Sequence, residues 1–133
     1  MTDRSPGFVV AVVDDDPSVL DSLGMLLQSA DHAVRLFDSG TALLQSGCLA
    51  EIDCLITDID MPVMDGFELL RAVHAARPGF PVILITCHLD MVDQSPPADR
   101  RYFRVFKKPF DAEELLAAVC DAARDPRPPA RRP

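Results

Sequence analysis

Short apolar runs alternate along this chain with stretches in which apolar residues recur every three or four positions. Phe8-Val9-Val10-Ala11-Val12-Val13 is a β-branched run without polar interruption, the pattern of a strand buried on both faces. Asp16-Pro17 follows as an N-cap with proline at the first helical position, and Leu20, Leu23, Leu26 and Leu27 then keep helical spacing. Ala33–Phe37 reads as a second strand and Thr41–Gln45 as a short helix. Cys54–Thr57 reads as a third strand, and Phe67, Leu70 and Val73 mark the next helix. Pro81–Ile85 and Tyr102–Phe106 are the fourth and fifth strands. Leu115, Leu116, Val119 and Ala122 mark a last helix, with Asp111 as its cap and Glu113 and Glu114 in its first turn. Alternation of this kind implies an α/β domain, a doubly wound parallel sheet with helices on both faces and right-handed crossovers.

The 133 residues suffice for one such domain and not for two. The formal charge of −8 argues against direct nucleic-acid binding, which needs clustered Lys and Arg. No run approaches the ~20 apolar residues of a membrane span. The first apolar run is too short for a secretory signal and ends in three aspartates. Cys48, Cys54, Cys87 and Cys120 show no zinc or C-x-x-C spacing and read as reduced thiols, mostly small buried hydrophobes, in a cytoplasmic protein. The tail from Asp125 to Pro133 is too rich in proline for helix and reads as disordered, or as the start of a linker. The domain is therefore placed at residues 1–124 and the tail at 125–133.

Doubly wound sheets place their sites at the carboxyl ends of the strands. Asp14, Asp15 and Asp16 follow the first strand, Asp58 ends the third with Asp60 two residues on, Thr86 ends the fourth, and Lys108-Pro109 follows the fifth. Turn and capping chemistry accounts for Asp16 but not for the whole set. Carboxylates gathered within a few ångströms repel one another and lose solvation, and a cation relieves both. An all-oxygen set with few protein ligands suits Mg²⁺ best, with Mn²⁺ possible.

Val12-Val13-Asp14-Asp15-Asp16-Pro17-Ser18-Val19, Asp53 through Gly66 with its Met61-Pro62-Val63-Met64-Asp65-Gly66 ending, Pro81 through Thr86, and Phe106-Lys107-Lys108-Pro109-Phe110 resemble the four motifs of response-regulator receiver domains. The resemblance runs over residues 8–124 and is strongest to receivers that precede DNA-binding output domains. It implies a flavodoxin-like, five-stranded sheet of order 2-1-3-4-5. It implies that Asp58 accepts a phosphoryl group from a phosphohistidine on a sensor histidine kinase or phosphotransfer protein. It implies Mg²⁺ on Asp15, Asp58 and the Asp60 backbone carbonyl, with Asp14 acting largely through water, and phosphoryl contacts from Thr86 and Lys108. The Lys108-Pro109 bond is expected to be cis, with the ammonium aimed inward, and Lys107 to be solvated. Asp60 and His88 flank the pocket, where relatives tune attack of water on the acyl phosphate. A switch of this kind is not an enzyme beyond its own phosphorylation and dephosphorylation; an output domain or a protein partner would read its state.

Two departures touch the output face rather than the chemistry. Val105 stands where the family usually has a Tyr or Phe that swings inward, and strand alternation would place Phe103 on Val105's face. Pro96-Pro97 falls inside the expected fourth helix, which should be short or broken there. These features motivate an alternative, a receiver-like protein-interaction module that works without phosphorylation. A phosphatase reading from the D-x-D of Asp58-Ile59-Asp60 fails, because that motif belongs after a first strand. His32 and His74 read as surface residues.

Overall fold

The computed structural model describes residues 7–93 and 102–124, in which strands and helices alternate. The order is β1 Val9–Val13, α1 Pro17–Ser29, β2 Ala33–Phe37, α2 Gly40–Ser46, a 3-10 turn Cys48–Glu51, β3 Cys54–Asp58, α3 Gly66–Ala76, β4 Val82–Thr86, α4 Asp90–Asp93, β5 Arg104–Lys107 and α5 Ala112–Arg124. The strands form one parallel sheet in the order β2-β1-β3-β4-β5. This is the expected flavodoxin-like arrangement.

Strand alternation sorts the interior into two apolar layers. Val10, Val12, Cys54, Ile56, Ile83 and Ile85 face α1 and α5, meeting Leu23, Leu27, Leu115 and Val119. Ala11, Val13, Leu55, Val82 and Leu84 face the other way, onto Leu43, Leu69, Leu70 and Val73 of α2 and α3. Each such Leu, Ile or Val, fully withdrawn from water, contributes about 1.5–3 kcal/mol. Covering both faces explains why β1, β3 and β4 carry no polar alternation.

The helix starts follow the capping chemistry of the sequence. Asp16 Oδ1 accepts from Ser18 N at 3.0 Å and from Ser18 Oγ at 2.8 Å. Asp65 and Glu68 close a reciprocal capping box over α3. Asp111 Oδ1 accepts from the backbone N–H groups of Glu113 and Glu114 at the start of α5.

Several expectations shift. β1 begins at Val9, β4 at Val82 and β5 at Arg104. Pro81 has no N–H to give a ladder. Because β5 starts only at Arg104, alternation does not extend back to Phe103. Phe103 packs with Phe106 in the α1–α5 layer, whereas Val105 packs in the α2–α3 layer with Tyr102. Phe103 therefore does not share Val105's face. The expected break at Pro96-Pro97 and the tail 125–133 lie outside the described residues. Of the four cysteines only Cys54 is buried; Cys48 and Cys120 are half-buried and Cys87 is exposed.

His32 is not a surface residue: it is 7% exposed at the end of the sheet opposite the strand carboxyl termini. Its Nδ1 accepts from Phe8 N at 3.1 Å, its ring stacks on Phe8, and Ala33 N donates to Phe8 O at 2.9 Å. Accepting at Nδ1 leaves the ring proton on Nε2, which has no partner among the described residues. Burial holds its pKa below the ordinary value of 6.5, against the weaker opposing pull of Asp31. The unfolded chain thus binds the proton more readily, so the stability this group confers is full above pH 6.5 and is lost as pH falls through the folded-state pKa. Urea midpoints from pH 7.5 to 5 are expected to fall more steeply in the wild type than in His32→Asn. Parallel profiles would show that His32 carries no proton linkage.

Candidate functional site

The parallel register gathers the polar residues at one edge. Val13 pairs with Thr57, Asp58 with Ile85, and Thr86 with Lys107, so Asp14, Asp58, Thr86 and Lys108 all emerge at the carboxyl ends of neighbouring strands. Asp14 is fully buried, Asp58 is 5% exposed and Thr86 is buried. Lys108 N donates to Thr86 O at 2.8 Å, which continues the β4–β5 ladder one residue past the strand. The Lys108-Pro109 bond is cis, as expected.

Lys108 Nζ lies 3.4 Å from Asp14 Oδ2 and 3.6 Å from Asp58 Oδ2. Asp14, Asp15 and Asp58 each offer a carboxylate oxygen within 4.8 Å of the others. Asp14 Oδ1 also accepts from Asp16 N at 2.9 Å, and Asp58 Oδ1 accepts from Asp60 N at 3.3 Å. Thr86 Oγ1 accepts from His88 N at 2.9 Å, leaving its hydroxyl proton free to turn. Lys107 is exposed on β5, as expected.

The electrostatics are unbalanced. Burial pushes the Asp14 carboxyl above its ordinary range, outweighing the Asp16 N–H and the Lys108 ammonium. Burial, and then repulsion from Asp14, pushes Asp58 up as well, again against Lys108. Burial alone would lower Lys108, yet Asp58 and Asp14 hold its pKa above the ordinary value. One ammonium therefore serves two buried carboxylates with a third, exposed one beside them. That donor set, oxygen only and short of positive charge, fits a hard divalent cation.

The loop from β3 to α3 is held by a close approach. Gly66 N donates to Ile59 O at 2.9 Å, and a Cβ on Gly66 would stand 2.6 Å from Asp58 O. The reason for glycine here is that contact rather than a positive φ. Met61 and Met64 are partly buried against the α2–α3 layer, as loop packing requires, while Pro62 is exposed.

Residues 10–120 match the family model of the response regulator receiver domain. The chain belongs to that family. Its receiver sequence is 34% identical over 122 residues to the transcriptional regulatory protein FixJ of Bradyrhizobium diazoefficiens, covering 92% of this chain and 60% of FixJ. It is 33% identical over 117 residues to the transcriptional regulatory protein GlrR of Escherichia coli K12, covering 88% of this chain and 26% of GlrR. The chain thus spans only part of these relatives. Among solved structures, the BeF3-activated DrrB receiver domain superposes with a TM-score of 0.75 at 29% identity, over 86% of this chain and 95% of that one. Receiver domains of response regulators are signalling switches rather than ordinary enzymes. Among the described residues no helix is long and apolar enough to cross a membrane.

The receiver's predicted polar set is brought together except in two details. Asp16 turns away to cap α1, as its position after the strand implied. Asp60 is exposed and meets Asp58 through its backbone N–H. One feature escaped the sequence. Beside Lys108 an apolar groove opens between α1 and the start of α5, lined by Val19, Leu23, Leu26, Pro109 and Phe110. It becomes visible only once the fold brings Pro109 and Phe110 against α1.

Proposed function

We propose that this chain is a phosphoryl-accepting signalling switch, in which Asp58 takes a phosphoryl group from a sensor histidine kinase or phosphotransfer protein in a Mg²⁺-dependent reaction and thereby changes partner binding. The observation that carries this reading is the undercompensated cluster: Asp14, Asp15 and Asp58 within 4.8 Å, served by Lys108 alone among the described residues. Asp15, Asp58 and the Asp60 backbone carbonyl would hold the metal, with Asp14 acting through water. When bound, Mg²⁺ (or Mn²⁺) would neutralise charge on the transferring phosphoryl oxygens.

The chain's own residues do the rest. Asp58 Oδ forms the new O–P bond as the donor's N–P bond breaks, and the released imidazole keeps the bonding pair. Lys108 turns from Asp58 to a phosphoryl oxygen, a charge-assisted contact of about 1.5–3 kcal/mol. Thr86 turns its hydroxyl proton to another phosphoryl oxygen while its lone pairs stay available to His88 N. We read residues 1–124 as the receiver and 125–133 as a tail or linker toward an output domain, within a cytoplasmic protein.

Val105 favours a second reading, a partner-binding receiver that needs no phosphate. Its half-buried, β-branched side chain has few rotamers through which to follow Thr86. One experiment separates the two. Wild type incubated with Mg²⁺ and acetyl phosphate is expected to gain one phosphoryl group, and beryllofluoride to shift its amide spectrum, both lost in Asp58→Ala. A wild-type spectrum indifferent to beryllofluoride would favour the second reading.

Lys108→Ala is expected to remain phosphorylatable at a reduced rate while losing the beryllofluoride-induced shifts around Thr86 and His88. Lys107→Ala, altering an exposed side chain, should behave as wild type. Amide spectra of the two variants check this, and exchanged phenotypes would mean that the wrong lysine faces the site.

A further inference from the structure

Ahead of the acceptor, β3 runs Cys54-Leu55-Ile56-Thr57, and all of these residues are fully withdrawn from water. The first three are apolar, whereas Thr57 carries a hydroxyl. Strand alternation turns it to the side of Leu55, toward α2 and α3, and so away from the Asp58 carboxylate, which meets Lys108 on the other side. A hydroxyl in an apolar layer is costly unless it is bonded. Thr57 Oγ1 donates to the backbone carbonyl of Asp58 at 3.1 Å.

The sheet has stopped holding that carbonyl. β1 pairs with β3 as far as Val13 opposite Thr57, and Asp14 N then turns to Phe37 O on the β2 side. Ile59 N donates to Ile85 O, so Ile59 faces β4 and the Asp58 carbonyl faces β1, where the ladder has just ended. The Thr57 hydroxyl supplies the bond that the missing strand residue would have given. Gly66 closes on the same peptide, since a Cβ there would stand 2.6 Å from Asp58 O. The Asp58 carboxylate hangs from this peptide, and its own bond to Asp60 N is long, at 3.3 Å. Its aim is therefore set largely by the backbone that Thr57 and Gly66 hold.

We propose that Thr57 is a positioning residue for the acceptor: from the face of the sheet opposite the reacting atoms, its hydroxyl fixes the Asp58 carbonyl and with it the direction in which the carboxylate meets phosphorus. This rests on the phosphotransfer reading above and adds to it a residue that touches neither the phosphoryl group nor the metal. In-line attack demands that the Asp58 oxygen oppose the breaking bond, so a small rotation of the peptide between Asp58 and Ile59 slows transfer while every charge in the site stays as it was.

The test compares Thr57→Val, which keeps the branched shape and removes the hydroxyl, with Thr57→Ser, which keeps the hydroxyl and removes the methyl. Thr57→Ala stands in for Thr57→Val should that variant fail to fold. Labelling by acetyl phosphate at saturating Mg²⁺ is followed well below each thermal midpoint, where every variant is folded. Thr57→Val is expected to label at least about five-fold more slowly than wild type, and Thr57→Ser to stay within about two-fold. In chelator, the Asp58 carbonyl carbon resonance should move in Thr57→Val further than in Thr57→Ser, a signature that needs neither metal nor donor. Thr57→Val labelling at the wild-type rate overturns the proposal, as does an unmoved resonance. Thr57→Ser as slow as Thr57→Val overturns it too, since packing of the methyl would then be what matters. A loss that further Mg²⁺ restores also overturns it, because Thr57 would then act through the metal. A wild type that acetyl phosphate does not label overturns the phosphotransfer reading and this inference with it, whereas a labelled wild type matched by Thr57→Val overturns this inference alone.

Discussion

Asp15→Asn is expected to lower the rate of phosphorylation by acetyl phosphate at fixed Mg²⁺ by at least about 100-fold, at the upper end of what disturbing a metal site costs, without unfolding the domain. Asp15 is the exposed member of the three-carboxylate cluster, and no described hydrogen bond depends on its side chain. The amide keeps the shape and removes a charge that helps to raise Asp14, so repulsion beside a fully buried carboxylate decreases. The thermal midpoint in chelator should therefore be equal or higher. In the wild type, Mg²⁺ at ten times its dissociation constant should add about 1.4 kcal/mol by mass action. That increment should vanish in Asp15→Asn. Labelling at the wild-type rate, or an undiminished Mg²⁺ increment, would remove Asp15 from the metal site.

The elements and the site were legible to different depths, for physical reasons. β3 and β4 were readable because strands buried on both faces must be continuous apolar runs, α1 and α5 because their starts carry caps, and α3 because Phe67, Leu70 and Val73 keep helical spacing. The edge assembly of Asp14, Asp58, Thr86 and Lys108 followed from strand-end position alone, since a parallel sheet brings all carboxyl ends to one side. Besides the groove beside Lys108, three things were not legible. His32 looks like any polar residue in a turn, and only the approach of Phe8, twenty-four residues earlier, buries it and occupies Nδ1. The face of Phe103 depended on where β5 begins, a boundary that local pattern does not mark. Val63 reads as an ordinary apolar loop residue until its φ and its exposure are seen together. The deciding variable is in turn a partner distant in sequence, a strand boundary and a backbone angle.

Asp58→Asn is expected to abolish phosphoryl incorporation altogether, and borohydride trapping of the labelled wild type should reduce Asp58 and no other aspartate. The same substitution should stabilise the metal-free protein. Asp58 sits in the site 5% exposed, with Asp14 beside it and Lys108 3.6 Å away. Its pKa lies above the ordinary 3.8, so burial and Asp14 together outweigh the attraction of Lys108. A group raised in the folded state favours its neutral form there, and the amide imitates that form without the charge. The direction with pH follows. Above the raised folded-state pKa the wild type carries the full cost of the ionised carboxylate, and the variant's advantage is greatest. As pH falls toward 3.8, Asp58 takes up its proton in the folded state first, and the advantage closes. Urea midpoints in chelator at pH 7 and near pH 4 measure the gap at both ends. Mg²⁺ should narrow or reverse the order at pH 7 by stabilising the wild type more, because a ligand set with two carboxylates left holds the cation less firmly. A variant less stable than wild type in chelator at pH 7 would mean that the Lys108 pair, not the buried charge, dominates the site. Trapping at Asp14, Asp15 or Asp60 would move the acceptor itself.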